Sequence, residues 1–263
     1  MLDFSSDAIL LRRIEYGDYD YIITLLTEKS GKLSVIAKNA KKSIRRFQGA
    51  LDLFSVLDIQ VAFPRKKKDA MPVLANAELI DPFEKIRIDV EKTGYASYWT
   101  EILNFYLEEQ KPQALLYKLL LFSMDTLNSG LIPKQVINLL FQIRFMSISG
   151  FAPDLKRCGI CQALIDETSS CNKKAVFDIQ NGRLVCDKCV KGSIPNSIKL
   201  SKGTLKQLAW INENEIAKAG RIKFSNLAIA EGEAFLQAFI PFHIGREFKS
   251  LEFLKRVKGE NWI

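Results

Sequence analysis

The chain has 263 residues, 48% of them hydrophobic, which suffices for a buried core in one large or two modest domains. Its formal net charge of +8 points toward a polyanionic partner, although a basic balance also occurs in ordinary soluble proteins. No run of about 18 apolar residues is free of charge, and Met1–Asp7 holds two acids and no apolar stretch, so neither a membrane span nor a signal peptide is read and a cytoplasmic location is expected.

The first 80 residues alternate in short β-like runs. Ala8–Ile14 leads, through a turn at Gly17–Asp20, to Tyr21–Thr27. Ser30-Gly31 turns into Lys32–Lys38; Leu53–Phe63 alternates again, and Val73–Ile80 is the fifth run. Five closely spaced strands predict a small closed barrel, with the OB-fold as the leading candidate.

Charge is distributed unevenly along this barrel. Residues 29–51 contain no acid but hold Lys29, Lys32, Lys38, Lys41, Lys42, Arg45 and Arg46. A second cluster, Arg65-Lys66-Lys67-Lys68, follows Pro64 in the loop between strands four and five, which flanks the ligand groove of an OB-fold. Phosphates are drawn to such a surface, and release of condensed counterions drives binding. The candidate DNA-binding set is therefore Lys38, Lys41, Lys42, Arg45, Arg46, Arg65, Lys66, Lys67 and Lys68. Tyr19, Tyr21, Phe47, Phe54 and Phe63 are available for base stacking, though any one of them is more often a core residue. The bland reading of the basic run is a solvated loop.

From about Ile86 the apolar period changes from two to 3.6. Tyr95, Tyr98, Trp99, Ile102, Leu103 and Tyr106 form one helical face, with Pro112 after it. Leu115 to Leu127 form the next, ended by Gly130; Pro133 opens a third, with Val136, Leu139, Leu140, Ile143 and Met146 inward and Gly150 as its stop. Short loops predict an antiparallel bundle.

The most specific signal follows. Cys158-Gly-Ile-Cys161 and Cys186-Asp-Lys-Cys189 are two Cys-x-x-Cys pairs separated by 24 residues. Four thiolates on two short knuckles make a closed tetrahedral shell, which predicts one structural Zn²⁺ on Cys158, Cys161, Cys186 and Cys189. The alternatives are two disulfides or four unrelated core thiols, and Cys171 is a fifth cysteine able to replace a ligand. Between the pairs, Ala175–Gln180, Asn181-Gly182 and Arg183–Cys186 read as a hairpin that delivers the second knuckle to the first. Beyond it, Ser201 is placed as the N-cap of a helix over 202–219, Asn226 as the cap of another ending near Ile240 before Pro241, and Phe248, Leu251, Leu254 and Val257 as the stripe of a last helix.

The expected class is α+β: a barrel over 1–80, helical parts over 81–154 and 193–263 packed as one domain, and a zinc module inserted over 155–192. Catalytic signatures are lacking: His243 is the one histidine, and there is no Walker, dinucleotide-binding or zinc-protease motif. A closed thiolate shell leaves no position for water or substrate, so no enzyme is expected.

Several segments in this order resemble the RecO family of bacterial recombination mediators. Gly17–Thr27 with Gly31–Lys38, and then Phe47–Phe54, are similar to the family's N-terminal barrel. Gly150-Phe-Ala-Pro153 leading to Cys158 resembles the entry to its metal site, and Phe242–Gly245 with Phe248-Lys-Ser250 its C-terminal signature. Tyr21 and Leu251 depart from arginines common in the family, and its cysteines are not universal, so zinc here rests on the spacing alone. The resemblance implies binding of single- and double-stranded DNA, annealing of complementary strands, work with RecR, contact with the C-terminal tail of single-stranded-DNA-binding protein, loading of RecA, and a place at the bacterial nucleoid. Rival readings are an RNA-binding OB protein, a protein-interaction adaptor, and a zinc-dependent nucleic-acid enzyme.

Overall fold

A computed structural model describes residues 2–43, 45–47, 49–64, 70–165, 174–214, 218 and 223–259. Five strands, β1 (Leu2–Tyr16), β2 (Asp20–Thr27), β3 (Gly31–Ala37), β4 (Val56–Phe63) and β5 (Val73–Asp81), close a barrel in the order β1-β2-β3-β5-β4. This is the OB-type barrel that the alternation predicts, with β3 and β5 parallel where Ile36 meets Val73. Its interior is filled by alternate residues such as Leu10, Ile23, Leu25, Val35, Ile59 and Leu74.

The first strand is twice as useful as its expected span. Residues 2–9 pair with β4 and residues 8–16 with β2, and an irregularity between Leu10 and Arg12 lets one strand serve both neighbours. Ser5-Ser6-Asp7 hides the first half from hydrophobic patterning, yet Phe4 packs edge-on against Phe63 with ring centroids 6.3 Å apart.

Because β3 meets β5 at one position only, part of its edge is left for other groups to close. The segment after the second helix does so. Gln110 N–H donates to Lys32 O at 2.8 Å, and the Glu109 carboxylate accepts from Ser34 N–H at 3.0 Å and Ser34 Oγ at 2.8 Å. Gly31 (φ 73°) permits the approach: a Cβ there would lie 1.9 Å from Lys111 O. Gly31→Ala combines that clash with a left-handed backbone, and is expected to cost at least about 2 kcal/mol, read as a lower urea midpoint.

The helices are α1 (Glu84–Arg87), α2 (Val90–Tyr106), α3 (Ala114–Ser129), α4 (Lys134–Ile148), α5 (Lys202–Glu213), α6 (Asn226–Ile244) and α7 (Lys249–Val257). Helix α2 begins later than its apolar stripe suggests because Asp89 caps it, accepting from Glu91 and Lys92 N–H. It buries the expected face of Tyr95, Tyr98, Trp99, Ile102 and Leu103. Gly94 lets α7 come close, since a Cβ would stand 2.8 Å from Leu254 Cδ1. Glu101 receives the N–H of Ser250 at 2.9 Å and also its hydroxyl, so a carboxylate from α2 sits at the positive end of α7.

Two compact units result: residues 1–129 with 248–263, and residues 130–247. The first contains the barrel with α1, α2, α3 and α7; the second contains α4, α5, α6 and the cysteine segment. This division does not follow the expected boundaries at 80/81, 154/155 and 192/193. An apolar stripe records that a helix is buried, not which neighbour buries it.

In the second unit, β6 (Lys174–Asp178), β7 (Arg183–Val185) and β8 (Ser197–Ser201) form a sheet in the order β7-β6-β8. The hairpin is present, but its connection has four residues rather than an Asn-Gly pair. Asp178 holds the loop by accepting from Asn181 N–H at 3.1 Å and Asn181 Nδ2 at 2.7 Å, and Gly182 alone takes positive φ, 60°. Ser201 caps α5 as expected, accepting from Thr204 N–H at 3.2 Å. That helix is Lys202–Glu213 with Asn214 as its C-cap, and residues 215–217 and 219 of the expected span lie outside the described residues. The cap of α6 is Ser225, not Asn226, and the helix runs through Pro241 to end at Gly245 (φ 71°). One proline in a last turn removes one hydrogen bond, too little to end a helix whose apolar face is buried.

Candidate nucleic-acid interface and metal centre

The loop after β3 folds back on the turn between β1 and β2. Asn39, in the left-handed region (φ 54°), donates its N–H to Asp20 Oδ1 at 2.7 Å, and Lys41 N–H donates to Tyr19 O at 3.0 Å. Arg46 braces the loop from within: Nη2 donates to Lys38 O at 2.6 Å and Nε to Ser43 Oγ at 3.3 Å. Phe47, 4% exposed, anchors the far end in the barrel core, with the Arg46 guanidinium 4.9 Å from its ring centroid.

Lys38, Lys41, Lys42 and Arg45 are exposed on this one loop, and Arg46 is half-buried. The structure therefore gathers five of the expected basic residues. The other four, Arg65, Lys66, Lys67 and Lys68, lie outside the described residues. Lys29 and Lys32 belong to the same acid-free run but turn to the protein, donating to Ser5 O and Asn104 O, both at 2.9 Å.

Within the set the charges are not equivalent. Lys41 bonds Glu15 at 2.8 Å, and that bond lowers the Glu15 carboxyl and raises the Lys41 ammonium. Lys42 and Arg45 have no carboxylate partner among the described residues. Lys42 Nζ instead lies 3.4 Å from the centroid of the Tyr19 ring, and Arg13 lies 5.1 Å from that of Tyr21. Burial separates the five candidate aromatics: Phe47 and Phe54 are core, Phe63 packs on Phe4, Tyr21 is half-buried, and Tyr19 is exposed. Tyr16, three residues before Tyr19 and beside the Gly17-Asp18 turn, is exposed as well and was not among the candidate aromatics.

The second constellation is the cysteine cluster. Sγ atoms of Cys158, Cys161, Cys186 and Cys189 all lie within 4.8 Å of one another, and all four thiols are free. Metal–sulfur bonds of about 2.3 Å in tetrahedral array separate sulfurs by roughly 3.8 Å. The Cys161–Cys186 separation is 3.7 Å, so the donor set fits a single thiophilic dication and not a pair of disulfides. Cys171 lies outside the described residues.

Local backbone chemistry builds this cluster. The first knuckle is pinched by Gln162 N–H donating to Cys158 O at 2.8 Å and Cys158 N–H to Ala163 O at 2.9 Å. Gly159 N–H donates to Leu184 O at 2.8 Å, tying that knuckle to β7, and a Cβ on Gly159 would stand 2.8 Å from Arg183 Cβ. The second knuckle closes with Cys189 N–H on Cys186 O at 2.9 Å. Phe177 of β6 then seats the module on α6, its ring 4.6 Å from that of Phe235 and 5.4 Å from that of Phe239.

Without a cation these thiols cannot all ionise. Burial pushes Cys158 up, but N–H groups of Cys161, Cys186 and Ile160 point at its sulfur and outweigh burial, leaving it at about 6. Cys189 is pushed up to about 12 by the neighbouring thiols of Cys161 and Cys186. Burial is the main cause of the rise at Cys186. A bound dication supplies the charge that lets four thiolates coexist. The shell has no open position, and His243, with its ring 3.9 Å from that of Phe239 and its Nδ1 3.1 Å from Phe239 O, belongs to the last turn of α6 rather than to this shell.

No helix among the described residues is long and apolar enough to cross a membrane. The family described as "Recombination protein O N terminal" matches residues 1–83, and "Recombination protein O C terminal" matches residues 87–252. The chain is 39% identical over 258 residues to "DNA repair protein RecO" of Desulfatibacillum aliphaticivorans, covering 98% of each chain. It is 37% identical to the protein of that name from Desulfosudis oleivorans, over 98% of this chain and 99% of the other. With that of Syntrophus aciditrophicus the identity is 32%, over 96% and 95%.

Proposed function

The chain belongs to the RecO family of DNA repair proteins, and from that premise we propose that it is a non-catalytic recombination mediator. It binds single- and double-stranded DNA on the barrel and anneals complementary strands. It helps to load RecA onto DNA coated with single-stranded-DNA-binding protein, working with RecR and with that protein's C-terminal tail. The setting is the bacterial cytoplasm, at the nucleoid.

The observation that carries the DNA part is the single loop holding Lys38, Lys41, Lys42, Arg45 and Arg46. Lysine and arginine neutralise backbone charge and release counterions, which lowers the repulsion between two strands brought to one surface. Contacts to phosphate carry no sequence information, so base edges stay free to find their complements. Arg65, Lys66, Lys67 and Lys68 are proposed to take part in DNA binding as well, on their charge alone.

For the metal we propose one structural Zn²⁺ held by Cys158, Cys161, Cys186 and Cys189. Its chemistry is that of a cross-link between two knuckles, and the closed donor set gives it no reaction to perform.

Annealing is the discriminating measurement. Complementary oligonucleotides coated with single-stranded-DNA-binding protein should pair several-fold faster with this chain than without it. Equal rates would remove the mediator reading. A preference for RNA over DNA in oligonucleotide competition would favour the RNA-binding alternative.

A further inference from the structure

Resting on the nucleic-acid reading of the barrel, we infer that the bound strand does not follow the outer face of β2 and β3. It crosses the rim made by the β1–β2 turn and the basic loop, where Tyr16 and Tyr19 stack on unpaired bases.

The outer face of β2 and β3 is already in use. Ile23 and Leu25 point into the barrel core, so Thr24 and Leu26 face out, yet they are 8% and 0% exposed. On β3 the outward Lys32 and Ser34 are engaged by Asn104 and Glu109, the latter an acid where a phosphate would have to pass. Opening this face would expose buried side chains and strip the edge of β3 of its closure.

The rim is different. Tyr16 is 53% exposed and Tyr19 42%, on either side of Gly17-Asp18, whereas the other candidate aromatics of the barrel are buried or half-buried. Lys42 lays an ammonium over the Tyr19 ring at 3.4 Å, so charge for a phosphate and a π-face for a base occupy one spot. Stacking requires a base whose face is free. A duplex offers none, while its phosphates remain available to the lysines. The tyrosines therefore act on single strands alone, and the basic loop on both forms.

Fluorescence anisotropy with a labelled single strand and a labelled duplex separates the two contributions in the full chain. Y16L/Y19L should weaken single-strand binding by about fivefold or more and leave duplex binding within about twofold, while Y16F/Y19F, which keeps both rings, should bind single strands as the parent does. Equal losses on both substrates, or no loss on either, would overturn the inference. K42E/R45E should weaken both substrates; if it weakens neither, the barrel reading itself fails, a result distinct from failure of the tyrosines. Photocrosslinking the unaltered chain to a single strand carrying 5-iodouracil gives an answer independent of the variants. Adducts should map to the peptide with Tyr16 and Tyr19, and adducts on Thr24 or Lys32–Ser34 would place the strand on the closed face.

Discussion

Cys158→Ser is expected to lose the metal and melt the module around β6 and β7. Cys158 is fully buried, and it receives Cys186 N–H on its sulfur at 3.4 Å. A serine hydroxyl offers a borderline-soft cation no thiolate, so three thiolates of the shell remain, and Cys171→Ser added to the variant removes the one further cysteine able to take the fourth place. Structural Zn²⁺ contributes apparent folding energies of about 10–16 kcal/mol in isolated fingers, far more than any other single interaction in this module can supply. Native mass spectrometry of reduced protein should show one zinc per chain, and none in the variant. Hydrogen exchange should rise in the knuckles and in β6 and β7, while the barrel strands keep their protection. Acid should act in the same direction. Protonation of the thiolates competes with the cation, so stability of the module should fall, and the metal be released, as pH is lowered. Reduced native protein that contains no zinc would end this account of the module.

The barrel and the cysteine shell were legible because each rests on local chemistry. Alternation with period two dictates which side chains enter a barrel, and Cys-x-x-Cys brings two sulfurs to one metal whatever surrounds them. Boundaries were less legible where a side chain outside the pattern decides them. Asp89 delays α2, Asp178 widens the hairpin loop, and β8 was not read because Ser197-Ile-Lys-Leu-Ser201 is too short and polar to stand out. The grouping of helices was not legible at all. Phe248, Ser250 and Leu254 return α7 to the unit that holds the barrel, through Tyr98, Glu101 and Gly94, partners about 150 residues away that no window along the chain contains. In the basic run the sequence could not tell which charges the protein itself braces. Lys29 and Lys32 look like Lys42 in one dimension, and only tertiary structure ties the first two to carbonyl oxygens.

That distinction governs the second large effect. Reversing Lys41, Lys42, Arg45 and Arg46 together to glutamate is expected to lower DNA affinity by roughly 10²-fold or more near physiological salt. The salt dependence is the sharper readout. Each phosphate contact contributes about 0.9 to the log–log slope on duplex and about 0.7 on single strands, so four lost contacts should flatten the slope by roughly three units. The losses should not be shared equally. Lys41 already faces Glu15 at 2.8 Å, which offsets part of its field, and Arg46 holds the loop by its bond to Lys38 O. Lys42→Glu and Arg45→Glu should therefore reduce the slope without loosening the loop, whereas Arg46→Glu should also lower the thermal midpoint. Binding in the fourfold variant that matches the parent in both affinity and slope would mean that this loop is a solvated surface, and that DNA is held elsewhere on the chain.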